Sequence, residues 1–110
     1  MSRTLITVPK NAKQGEIIEI RVLIQHPMET GYRPGADGRL LPRDLIRKFT
    51  CRYDDGRADE VIFRADLFAA VSANPLISFF TRATATGKLT FLWEGDNGFV
   101  QRETVSLTVS

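Results

Sequence analysis

Residues 16–26 read Glu-Ile-Ile-Glu-Ile-Arg-Val-Leu-Ile-Gln-His. Ile18, Ile20, Val22 and Ile24 fall on alternate positions, with Glu19, Arg21 and Gln25 in the other phase. A period of two places one set on each face of a strand, whereas a helix would scatter both sets round its axis. The stretch therefore predicts a β-strand with one face buried and the other in water.

The same rhythm continues on both sides. Upstream, residues 4–8 alternate like a strand and end at Pro9 and the polar turn 10–15. Downstream comes a long loop, 27–43, containing Gly31, Pro34, Gly35, Gly38 and Pro42. A strand is predicted over 45–53, with Leu45, Phe49, Cys51 and Tyr53 in phase and Lys48, Thr50 and Arg52 opposed. Asp54-Asp55-Gly56 is a turn signal, and 60–65 predicts a strand with Val61 and Phe63 on one face. Residues 66–73 have room for one helical turn before Asn74-Pro75 stops it. Strands follow at 76–83, at 88–94 with Leu89, Phe91 and Trp93 aligned, and at 99–109 with Val105, Leu107 and Val109 aligned. Gly95-Asp96-Asn97-Gly98 marks the hairpin between the last two. About seven short antiparallel strands predict an all-β, immunoglobulin-like sandwich occupying 1–110 as a single domain. A small barrel is the alternative. In the sandwich, loop 27–43 and hairpin 95–98 project from the same end, where this architecture usually binds its partners.

Composition narrows the functional classes. With 43% hydrophobic and 25% charged residues, the 110-residue chain can bury a core and is no disordered tail. The lone cysteine, Cys51, excludes an internal disulfide. Net charge is only +2, and the seven basic residues between 33 and 57 are interrupted by four acids. That dilution argues against nucleic acid as a partner. No stretch approaches the roughly 20 apolar residues that span a bilayer. Met1 to Pro9 lacks the apolar run of about 7–15 residues found in a signal peptide, so export would need another route.

The reactive residue types give no catalytic constellation. Cys51 is in phase with Phe49, which predicts a desolvated, inert thiol. His26, the only histidine, lies beside Met28 and Glu29, but a metal site needs three or four donors and no second histidine completes one. General base catalysis would need a nucleophile to activate, and none is paired with His26. A strand-end histidine that hydrogen-bonds the long loop or meets a partner is the simpler reading. Asp54-Asp55 and Asp96-Asn97 fall in tight turns, where such residues bond the backbone. Trp93 reads as a core residue, or as an interface tryptophan next to the hairpin. The loop glycines form no phosphate cradle.

Several segments resemble a known family. They are Gln25-His-Pro-Met-Glu-Thr-Gly31, Ala36-Asp-Gly-Arg-Leu-Leu-Pro-Arg43, Ile46-Arg-Lys-Phe-Thr-Cys51, Val71-Ser-Ala-Asn-Pro75 and Leu92-Trp-Glu-Gly-Asp-Asn-Gly98. In this order they resemble SoxZ proteins, the Z half of the bacterial SoxYZ sulfur carrier. The resemblance implies a non-catalytic subunit, without a cofactor, in a heterodimer with SoxY in the periplasm. SoxY carries the intermediates of thiosulfate oxidation on a cysteine in a glycine-rich C-terminal arm and presents them to other Sox enzymes. The end of this chain, Ser106-Leu-Thr-Val-Ser110, has neither cysteine nor glycine, which matches the Z half. The resemblance also implies export by co-translocation with a signal-bearing partner.

Partner contacts are expected at His26, Met28, Glu29, Tyr32, Arg33 and Arg43, with Met28 and Tyr32 as anchors and the two arginines at a polar rim. The competing readings are a generic β-sandwich module for another protein or a carbohydrate, and a thiol enzyme using Cys51.

Overall fold

Residues 3–110 of the computed structural model form eight strands. They are β1 (Thr4–Thr7), β2 (Asn11–Ala12), β3 (Ile17–Ile24), β4 (Ile46–Asp54), β5 (Asp59–Asp66), β6 (Leu76–Arg82), β7 (Gly87–Gly95) and β8 (Val100–Val109). Met1 and Ser2, part of the stretch read for a leader, lie outside the described residues. The strands make two sheets, ordered β1-β3-β6 and β2-β8-β7-β4-β5. The chain crosses between sheets after β1, β2, β3, β5 and β6, giving an immunoglobulin-like sandwich.

The inner faces follow the alternation. Ile18, Ile20, Val22 and Ile24 of β3 are buried, opposite Phe49, Cys51 and Tyr53 of β4 and Leu89, Phe91 and Trp93 of β7. Phe49 is central: its ring lies 5.1 Å from Trp93 and 6.3 Å from both Phe79 and Phe91. Phe63 stacks on Phe79 at 4.3 Å and so ties the two sheets together. Trp93 is a core residue, 1% exposed.

Three local features depart from the simple pattern. β2, inside the expected polar turn, runs parallel to the end of β8 through Asn11↔Thr108 and Ala12↔Val109, and it buries Ala12. The β4–β5 register slips between Cys51 and Arg52, so Cys51 faces Phe63 while Arg52 faces Val61. This bulge leaves Ile62 as the extra residue and turns Val61 outward, against the expectation that Val61 and Phe63 share a face. A second slip near Arg47 lets Ile46, in the opposite phase to Phe49, also be buried. Residues 67–75 form turns and bends, not a helix. Among the described residues the one helical element is the 3-10 turn Asp96–Gly98, so no helix is long and apolar enough to cross a membrane.

Candidate partner-binding surface

The long loop and the β7–β8 hairpin meet, as the topology requires, through one carboxylate. Asp96 accepts two hydrogen bonds from the Arg43 guanidinium, at 3.0 and 3.1 Å, and one from the Leu45 N–H at 3.1 Å. Arg47 lies 3.6 Å away, and Asn97 donates to the Arg43 carbonyl at 3.2 Å. Burial alone would raise the Asp96 pKa, but the Leu45 hydrogen bond, the Arg43 hydrogen bond and the two positive charges outweigh it. The carboxyl titrates below its ordinary value.

His26 and Met28 shape the other side of this end. The His26 ring Nδ1 accepts the Met28 N–H at 3.0 Å, which places the ring proton on Nε2. Nε2 lies 3.6 Å from Asp44 with no hydrogen-bond partner of its own, and the ring packs edge-on against Phe99. Asn74 brackets the His26 backbone, accepting its N–H at 2.8 Å and donating to its carbonyl at 2.7 Å. Asn74 can do so because its φ is +53°, a conformation asparagine tolerates. Met28 also has positive φ, and its sulfur accepts the Ile46 N–H at 3.3 Å.

The six residues expected at an interface therefore divide. His26 and Met28 are each 4% exposed and face inward, the Met28 thioether lying beneath the loop against the Ile46 N–H. Glu29 is half-buried and paired with Arg33, whose hydrogen bond holds the Glu29 carboxyl below its ordinary pKa. Tyr32 is 83% exposed, and Arg33 and Arg43 are exposed with it.

Cys51 is fully buried, and burial pushes its thiol up to about 12. Among the described residues no group of three or more His, Cys, Asp or Glu is placed to hold a metal ion.

A larger surface escaped the sequence reading. On the outer face of the three-stranded sheet Leu5 stands opposite Leu23, and Leu23 opposite Leu76. Leu5 is 63% exposed and Leu76 56%, and Phe80 at 65% lies further along the same face. The row runs into the loop end. Leu5, Leu23, Gln25 and Asn74 line one hollow, and Pro27, Glu29, Arg33 and Ala73 line another beside it. The available signal was phase: Leu23 and Ile17 are apolar at positions where β3 otherwise carries Glu19 and Arg21.

A family model described as sulphur oxidation protein SoxZ matches residues 6–106. The chain belongs to the SoxZ family. A role in sulfur oxidation comes with that membership. No match was found among curated proteins. Among solved structures, the sulfur carrier protein SoxY from Chlorobium limicola f thiosulfatophilum aligns with a TM-score of 0.65 at 15% identity, over 97% of this chain and 78% of that one. A superoxide reductase (neelaredoxin) from Ignicoccus hospitalis aligns with a TM-score of 0.76 at 18% identity, over 97% and 80%. A superoxide reductase from Nanoarchaeum equitans gives 0.68 at 15% identity, over 94% and 90%. At these identities the likeness is one of fold. SoxZ membership and the SoxY neighbour agree on the immunoglobulin-like sandwich.

Proposed function

We propose that this SoxZ-family chain is the non-catalytic subunit of a SoxYZ sulfur carrier in thiosulfate oxidation. It stabilises SoxY and helps present the sulfur intermediates bound to the SoxY cysteine to the Sox enzymes that visit the complex. In this reading the complex works in the periplasm, and this subunit is exported by co-translocation with a partner that bears the signal. The observation that carries the proposal is the apolar row Leu5–Leu23–Leu76, whose hollow ends at Asn74, next in sequence to Ala73 of the hollow lined by Glu29 and Arg33.

A row of three leucines in register across a whole sheet, its two outer members exposed and the middle one half-buried, is costly in water and supports a protein contact there. The sealed Cys51 supports a binding role over a thiol enzyme. SoxY is assigned to the apolar row and the adjoining loop, where Tyr32 supplies an aromatic anchor and Glu29, Arg33 and Arg43 a polar rim. His26 and Met28 act beneath the surface by fixing the loop's shape.

Co-purification with tagged SoxY tests the assignment. Leu5→Asp combined with Leu76→Asp places two charges in the apolar row and is expected to reduce SoxY recovery at least ~10-fold. Tyr32→Ala is expected to weaken recovery of SoxY or of a visiting Sox enzyme. Undiminished recovery by the double variant removes the sheet face from the interface, and undiminished recovery of every partner by Tyr32→Ala removes that residue.

A further inference from the structure

We propose that the outer face of the five-stranded sheet is a second docking surface, which takes an acidic, extended segment of a partner protein. One row of side chains carries the argument. Across four strands, Arg64 on β5 faces Thr50 on β4, Thr50 faces Leu92 on β7, and Leu92 faces Arg102 on β8. The row begins and ends with an exposed guanidinium, and its floor is a 9%-exposed threonine and a half-buried leucine. Lys48, Arg52 and Thr90 close the hollow above and below, giving a shallow basin of about 260 Å³ in which Glu94 is the only carboxylate of the lining.

The cations differ in how they are employed. Arg52 is paired with Asp59 at 3.1 Å, and Lys48 stands between Asp66 and Glu94 in its own row. Arg64 and Arg102 form no ion pair among the described residues. Charge on the outside of a sheet often serves only to discourage edge pairing, and mixed signs suffice for that. Two unpaired arginines facing each other across an apolar and hydroxyl floor are instead matched to carboxylates, which a guanidinium binds through two parallel hydrogen bonds.

Spacing specifies the ligand. β5 and β8 are separated by three interstrand steps, roughly 14 Å in all. An extended chain covers that in about four residues, so two carboxylates at that interval would meet both arginines, with a small apolar side chain between them over Leu92. Nucleic acid fits less well. No aromatic side chain lines the basin for a base to stack on, because Phe91 and Trp93 point into the core, and Glu94 interrupts the positive field. The basin and the apolar row lie on opposite sheets, so both can be occupied at once. The proposal holds whichever protein covers the row.

The test is an NMR titration of the ¹⁵N-labelled full chain with an acidic peptide of about nine residues, carrying two glutamates about four positions apart around an alanine. Amides of Thr50, Arg64, Leu92 and Arg102 are expected to shift saturably, with affinity falling several-fold as salt is raised from about 50 to about 300 mM. Arg64→Glu with Arg102→Glu should abolish saturation, and the milder Arg64→Gln with Arg102→Gln should weaken it several-fold in a chain with unchanged fold. Arg57→Glu, in the β4–β5 turn, should leave affinity unchanged. Shifts centred elsewhere, indifference to both double variants, or equal weakening by Arg57→Glu would overturn the proposal. So would tighter binding, at the same amides, of a single-stranded oligonucleotide of equal charge.

Discussion

Asp96 gathers an arginine side chain, a second arginine's charge and a backbone N–H onto one carboxylate, and this holds the long loop to the hairpin. Because its folded pKa is lowered, the stabilisation is complete above the ordinary carboxylate value and is lost as pH falls through the folded value. Thermal unfolding between about pH 6 and pH 2 should therefore show stability declining mainly below about pH 4. Asp96→Asn should begin less stable at the upper end and decline less steeply. It will not be flat, because Glu29 and Asp55 are also lowered, by the Arg33 hydrogen bond and by the Ala58 and Arg57 N–H groups respectively. A variant with the same slope as the parent would show that Asp96 is not the linked group. Cys51 illustrates the opposite effect, where burial without a compensating charge keeps a thiol protonated and unreactive.

At the scale of elements, the strand pairing at the loop end depends on a glycine. A Cβ on Gly95 would sit 2.4 Å from the Leu45 carbonyl oxygen and 3.0 Å from the Ile46 Cα, both backbone atoms that cannot move aside singly. Gly95→Ala should cost about 1–3 kcal/mol in urea unfolding and loosen the Asp96 contacts. A change within about 0.5 kcal/mol would mean that the β4–β7 pairing accommodates the methyl.

The strands themselves were legible because burial on one face imposes a period of two, as in Ile18, Ile20, Val22 and Ile24. The bulges at Ile62 and Arg47 were not, because a slip of one residue is decided by the partner strand and leaves no local trace. β2 was hidden for a related reason: its partner is the far end of the chain. Tyr32 could be placed on an exposed loop from sequence. The inward turn of Met28 could not, since it depends on a positive φ and on the Ile46 N–H.

Over the whole molecule, the two sheets present different outer faces. One carries the leucine row that runs into the loop end, and the other carries the arginine-flanked basin. Between them lies a core that encloses the only thiol. The molecule is about 57 Å long and 21 by 19 Å across, which gives each face the length to hold a separate partner. This division suits a subunit that stabilises a carrier on one side while leaving another surface open.

Intact-mass measurement of the chain co-purified with SoxY and exposed to the thiosulfate-oxidising enzymes tests the central claim most directly. The account predicts an equimolar complex in which every sulfur adduct is on SoxY and this chain keeps its unmodified mass. A sulfur adduct on Cys51, or thiosulfate turnover by this chain alone, would contradict it.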